Sequence, residues 1–308
     1  MIEAARDQVE PLRPMRSRAL RRSGFHWLLP HPSLVRAAAM VQPLVRPFLP
    51  HRVRRLIRGS GHAFGRLPRV TVPAGQERGT VALLAGCVQD RWFHDVNLAT
   101  IRVLAENGWR VTVPRGQACC GALAAHNGRL SVAKRLARRA ARAFEGAQAV
   151  VANAAGCAAH MATYADLKPG SELPVRDLMA FLFEEGLTRE PGRLDITVAY
   201  HDACHARAGR VVEQPRALLA RIAHLKLVEI PDGNACCGAA GIYNVTQPGF
   251  ADALGKAKAE AIIATGAQAV ASANPGCTMQ IAATLRDMGQ VVPLLHPVQL
   301  LDRAYRSV

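Results

Sequence analysis

The sequence predicts an α/β protein made of two pseudo-symmetric, cysteine-rich parallel-sheet units preceded by a short helical arm. Three observations carry this prediction. Short apolar runs alternate with helically spaced segments, the eight cysteines recur as two sets of four, and positive charge is concentrated at the front of the chain. With 308 residues, half of them apolar, the chain can bury two ordinary cores, which excludes disorder and collagen-like repeats.

Residues 1–78 form the arm and linker. The first 70 residues hold 14 Arg against Glu3, Asp7 and Glu10, so they carry +11 of the chain's net +16. Pro11, Pro14, Pro30, Pro32, Pro43, Pro47 and Pro50 divide the segment into short helices rather than one amphipathic anchor. Its arginines fall into two groups, Arg16, Arg18, Arg21 and Arg22, then Arg52, Arg54, Arg55 and Arg58. They read either as a surface for an acidic partner or the anionic inner face of a membrane, or as a solvated helical face with a linker. Nucleic acid is not an expected partner, since no helix-turn-helix, RNA-binding or zinc-finger signature accompanies the charge. No run approaches the roughly 18 apolar residues of a membrane span, and the N-terminus has neither a basic nor an apolar leader region. The expected compartment is the cytoplasm, with peripheral contact at the inner membrane face as the membrane option.

The first unit, 79–190, opens with a strand at Val81 to Ala85 that ends at Gly86-Cys87, followed by helical spacing from Val96 to Asn107. A strand at Arg110 to Val113 leads to Cys119 and Cys120 and then a basic helix from Leu130 to Phe144. A third strand, Ala149 to Ala152, delivers Cys157 to the start of another helix. The second unit, 191–308, reads alike, with strands near Ile196 to Tyr200, Leu227 to Ile230 and Ala269 to Ser272, and helices near Arg216 to His224 and Phe250 to Thr265.

The units are an internal duplication. A shift of 117 carries Cys87, Cys119 and Cys120 onto Cys204, Cys236 and Cys237, and Cys157 maps onto Cys277 with three residues inserted. Pro114 to Ala122 matches Pro231 to Ala239 at seven of nine positions, and Ala147 to Cys157 matches Ala267 to Cys277 at six of eleven. Every cysteine follows the carboxyl end of a predicted strand, the edge at which open α/β sheets bind ligands. Three adjacent loops would gather four thiols per unit.

Four soft thiolates select zinc or an iron–sulfur cluster over magnesium or calcium. No CxxC knuckle occurs, which disfavours structural zinc and leaves it as the alternative. Adjacent cysteines can diverge to separate irons, and Gly121 or Gly238 lets the backbone approach and point amides at sulfur. Inert buried thiols would not be duplicated with their glycine neighbours, and vicinal disulfides at the two pairs would be strained. His201 and His205 flank Cys204 and are expected to hydrogen-bond to cluster sulfur rather than ligate, since four thiolates suffice. His160 is expected to be an ordinary surface histidine.

The segments LLAGC (83–87), CCGALAAH (119–126), YHDACH (200–205), CCGAAGIYN (236–244) and NPGC (274–277), with RPFLP (46–50) upstream, resemble the cysteine-rich "CCG" domain family. The resemblance is closest to the C-terminal region of glycolate oxidase (glycolate dehydrogenase) iron–sulfur subunits and runs the length of the chain. Lactate-utilisation iron–sulfur proteins, the cysteine-rich subunit of anaerobic glycerol-3-phosphate dehydrogenase and that of heterodisulfide reductase are similar. The resemblance implies one [4Fe-4S] cluster per unit on the eight cysteines, with Tyr243 and Asn244 at a cluster edge. It implies electron transfer from a flavin (FAD-binding) subunit that oxidises glycolate or another 2-hydroxy acid to a quinone or other acceptor. The chain itself is expected to be non-catalytic, as it has no dinucleotide fingerprint, phosphate loop or acid–base pair. The heterodisulfide type carries a fifth cysteine three residues after the last one, where His160 and Gln280 stand here. Glycolate oxidase subunits normally begin with a ferredoxin-like region, but no cysteine precedes Cys87, so that region is expected either upstream in the same frame, this chain being truncated, or as a separate ferredoxin-like protein that is then a partner. The rival expectations are a heterodisulfide-reductase-like or lactate-utilisation subunit and a zinc-stabilised scaffold.

Overall fold

A computed structural model describes residues 2–12, 23–57 and 65–307. It contains two sheets. The first comprises β1 (Val70–Thr71), β2 (Gly79–Leu83), β3 (Trp109–Thr112), β4 (Val150–Ala152) and β5 (Val175–Asp177), in the order β1-β3-β2-β4-β5. The second comprises β6 (Arg193–His201), β7 (Ala223–Glu229), β8 (Ala269–Ser272) and β9 (Leu294–Leu295), in the order β7-β6-β8-β9. All pairings are parallel except the edge pair β1–β3. Without β1 the two orders are the same, so the duplication read in the cysteines is also a duplication of topology.

The apolar runs become the central strands because both faces are covered. Val150, Val151 and Ala152 are fully buried, as are Ala269, Val270 and Ala271. β1, β5 and β9 have only two or three residues, too short to show alternation, and were not anticipated. The helix expected over Arg216 to His224 is instead Glu213–Ala220, and His224 lies in β7 with φ 66°. From Ala223 the apolar period is two (Ala223, Leu225, Leu227), and strand pairing with β6 prevails over helical continuation. Pro43 does not break the chain either. It lies in the last turn of the 14-residue helix Pro32–Val45, where its missing N–H disturbs little.

The two units share a core. Leu83, Val96, Leu104 and Phe181 from the first and Val198, Tyr200, Leu218 and Leu301 from the second form one buried cluster. Helix Pro297–Arg306 lies on helix His94–Glu106, and buried Asp302 accepts from Arg102 Nε and Nη2 at 2.7 and 2.8 Å. Nearby, Tyr305 Oη accepts from Asn107 Nδ2 at 3.0 Å and donates to Arg189 O at 3.0 Å.

The arm is packed onto both units. Helix Ile2–Val9 meets helix Leu130–Ala143, and Glu10 pairs with Arg129 at 2.8 Å. Trp92 Nε1 donates to Gln42 Oε1 at 2.6 Å, while helix His51–Ile57 rests on helix Pro275–Asp287, where Arg55 pairs with Asp252 at 2.7 Å and with Asp287. Arg52 also pairs with Asp252, at 3.2 Å, so two of the arginines read as a docking surface or a solvated face carry ion pairs within the chain. Arg16, Arg18, Arg21, Arg22 and Arg58 lie outside the described residues. No helix among the described residues is long and apolar enough to cross a membrane.

The two Cys-Cys-Gly loops turn through left-handed glycines, Gly121 at φ 91° and Gly238 at φ 85°. A methyl at 238 would lie 2.5 Å from Ala251 O, whereas at 121 the nearest atom, Ala133 Cα, is 3.3 Å away. Both Gly121→Ala and Gly238→Ala are expected to incur the roughly 1–2 kcal/mol left-handed penalty, with Gly238→Ala the more damaging because backbone must also move. Urea midpoints of the two variants would check that order. Tyr305→Phe, which removes two hydrogen bonds across the shared core, should lower stability by about 1–2 kcal/mol without changing the denaturant slope.

Candidate metal centres

Three loops per unit deliver the thiols, each leaving the carboxyl end of a parallel strand. Cys87 follows β2, Cys119 and Cys120 follow β3, and Cys157 lies in the first turn of helix Ala155–Met161 after β4. Cys204 follows β6, Cys236 and Cys237 follow β7, and Cys277 lies in the first turn of helix Pro275–Asp287 after β8. β2 stands between β3 and β4, and β6 between β7 and β8, so adjacent strand ends bring each set of loops together.

All four thiols of the first unit and three of the second are in contact, with Cys204 near the second group. The Cys87 thiol meets Cys119, Cys119 meets Cys120, and Cys120 Sγ lies 3.1 Å from Cys157 Sγ. In the second unit Cys236 meets Cys237, Cys237 meets Cys277, and Cys204 lies within electrostatic reach of Cys236. Cys119, Cys120, Cys237 and Cys277 are buried, Cys204 is exposed and the others are half-buried.

The surrounding backbone is pinned in matching ways. Gly121 N and Gly238 N donate to Cys119 Sγ and Cys236 Sγ, each at 3.4 Å. Arg139 Nε holds Gly116 O at 2.6 Å, and buried Lys258 Nζ holds Asp232 O and Gly233 O at 3.1 and 3.3 Å. Gln117 joins the Cys119 loop to the Cys87 loop, accepting from Ala85 N at 2.8 Å and donating to Leu83 O at 3.2 Å.

Crowding opposes ionisation. The Cys119 contact and burial raise the Cys87 thiol well above its ordinary value, and the Cys237 contact and burial raise Cys236. Four thiols become thiolates together only around a positive centre, which lowers each pKa by direct coordination. The donor chemistry, four sulfurs per unit with amide N–H groups directed at them, fits a soft metal or an iron–sulfur cluster.

The histidines divide. His201 ends β6 at 2% exposure, and burial pushes it down to about 4. Its ring nitrogen and the sulfurs of Cys237 and Cys277 lie within 4.8 Å of one another. His205 Nδ1 is 3.5 Å from Cys204 Sγ, and its ring centroid is 5.1 Å from that of His126 in the first unit. His160 is not a surface residue: it is 5% exposed, packed between Tyr164 and His126. Tyr243 is half-buried, and Asn244 donates to Gln280 Oε1 at 3.1 Å rather than to a cysteine.

Sequence reasoning overlooked three residues here. Tyr164 Oη donates to Cys120 O at 2.6 Å, His126 stands between the units, and Asn274 joins the two centres. Asn274 Nδ2 donates to Cys277 Sγ at 3.4 Å while its Oδ1 accepts from Gly156 N, beside Cys157, at 3.3 Å. Its counterpart in the first repeat is Ala154, and that difference within a duplication was the available signal.

Comparison with known proteins agrees with the duplication. The cysteine-rich domain family (CCG) matches residues 81–162 and 198–282. The chain is 34% identical over 266 residues to a fumarate reductase (CoM/CoB) subunit of Methanothermobacter marburgensis, covering 84% of this chain and 54% of that one. It is 30% identical to the "Glycolate oxidase iron-sulfur subunit" of Escherichia coli, covering 99% and 76%, and 30% identical to the "Probable glycolate oxidase iron-sulfur subunit" of Bacillus subtilis, covering 91% and 71%. The chain thus spans about half the length of the first relative and about three quarters of the other two. A crystal structure of a hypothetical protein from Helicobacter pylori superposes with TM-score 0.55 at 11% identity, over 87% of this chain and 57% of that one, and so shares the fold. With both cysteine-rich repeats matched and relatives aligned along nearly its whole length, the chain belongs to the CCG cysteine-rich domain family, as a homologue of glycolate oxidase iron–sulfur subunits.

Proposed function

We propose that this chain is an electron-transfer subunit holding iron–sulfur clusters, one [4Fe-4S] in each unit. Cys87, Cys119, Cys120 and Cys157 ligate the first, and Cys204, Cys236, Cys237 and Cys277 the second. The observation that carries this reading is the pair of thiol quartets, each assembled from three strand ends and each with a glycine amide on sulfur. Bound clusters would supply one-electron chemistry. The protein's own part is to exclude water, direct amides at sulfur and set the spacing between centres.

Asn274 supports a relay, because one side chain spans from Cys277 Sγ to the backbone beside Cys157. The direction follows from the family likeness: electrons arrive from a flavin-containing subunit that oxidises glycolate or a related 2-hydroxy acid, and leave to a quinone or other acceptor. A ferredoxin-like protein is a further proposed partner, and the place of work is the cytoplasm or its membrane face. A five-thiolate site of the heterodisulfide type fits less well. Gln280, where the fifth cysteine would stand, is fully buried and bonded to Ala251 O at 3.3 Å and to Asn244.

Anaerobically prepared protein should be brown and contain iron and labile sulfide, and Cys119→Ser with Cys120→Ser should remove roughly half of the iron, as one of two clusters is lost. Iron analysis decides: full retention in the double variant removes the first quartet, and stoichiometric zinc without iron would establish the scaffold reading. Glycolate should bleach the visible absorption only after the flavin subunit is added, and bleaching by the isolated chain would overturn the relay.

A further inference from the structure

The two thiol quartets look equivalent in sequence, but the strand ends behind them are not. In the first unit the residue three before Cys87 is Leu84, whereas the one three before Cys204 is His201. The residue five before Cys157 is Ala152, and the one five before Cys277 is Ser272. His201 and Ser272 are register partners on the neighbouring strands β6 and β8, so two apolar positions of one repeat have become two polar positions of the other at the same place on the sheet.

Both polar residues are buried and unsatisfied. His201 and Ser272 are each 2% exposed, and among the described residues neither ring nitrogen of His201 nor Ser272 Oγ has a hydrogen-bond partner. Leaving a buried polar group unmatched costs about 1–3 kcal/mol, so such a pair at a strand end points to a bound group. The imidazole also has a partner set within reach. Its nitrogen and the sulfurs of Cys237 and Cys277 lie within 4.8 Å of one another, and this is the one group of three or more such donors that compact among the described residues.

We propose that His201 is a direct ligand of the metal centre in the second unit, in the place that the exposed Cys204 holds in the four-thiolate set, a donor that the first unit lacks. This deepens the iron–sulfur reading and rests on it. Ser272 supplies a polar neighbour where the first repeat has a methyl group. The two centres are then chemically distinct: four thiolates on one side of the Asn274 link, and three thiolates with an imidazole on the other.

The test uses the full chain, prepared anaerobically, assayed for iron and sulfide, reduced with dithionite and examined by pulsed electron paramagnetic resonance. In wild-type protein a nitrogen coupling of the strength of a metal-bound imidazole is expected, changing when histidine is supplied as the 15N form. It should vanish in His201→Gln and persist in His205→Gln, His126→Gln and His160→Gln. Should His201→Gln not fold, the labelled wild type together with the three other variants still tests the proposal, because loss of the coupling in any of those three overturns it. Iron and sulfide present without that coupling, or a coupling that survives His201→Gln, overturns the proposal and leaves the cluster reading standing. Absence of iron and sulfide from wild type overturns the cluster reading itself, and the proposal with it.

Discussion

Thiols crowded together and shielded from water resist ionisation, because each added thiolate raises the cost of the next and burial removes the water that would screen them. A positive centre would let such a quartet ionise together, and the strand order and loops are what bring the eight thiols to two places. A loop alone would not do it. The thiols of each unit must come from three different strand ends, and a parallel sheet is the arrangement that puts the carboxyl ends of neighbouring strands at one edge. The order with β2 and β6 as inner strands places the first cysteine loop between the other two. Left-handed Gly121 and Gly238 then donate their own amide N–H to the first sulfur of each Cys-Cys pair.

The units are joined too closely to behave as independent carriers. They share one apolar cluster, the C-terminal helix of the second lies on a helix of the first, and the arm straps both with Glu10–Arg129 on one side and Arg55–Asp252 on the other. The distance between the two thiol groups is therefore fixed by packing and not by a linker. Ala155 N donates to Ala273 O at 2.9 Å beside the Asn274 bridge, so the loops carrying Cys157 and Cys277 touch across the pseudo-symmetry. For a protein proposed to pass electrons, that rigidity keeps the transfer distance constant.

The sequence by itself determined the repeat, the fold class and which residues bear sulfur, because the cysteine offsets and the apolar runs are local properties that survive in one dimension. β8 appears over Ala269–Ser272 as its apolar run predicts, and helix Leu130–Ala143 within one residue of its expected end. The short edge strands β1, β5 and β9 and the shared core were not legible, since pairing between residues far apart in the chain creates them. The same holds for chemistry. His160 reads as an ordinary polar residue one turn beyond a cysteine, and only the packing of Tyr164 and His126 around it makes it interior. His201 and Ser272 lie 71 residues apart in sequence and become neighbours only through the β6–β8 register, and Asn274 becomes a bridge only because the two repeats fold against each other. Sequence determines which donors exist, through residue type and spacing; tertiary structure decides which of them meet, through strand order and the packing of one repeat on the other.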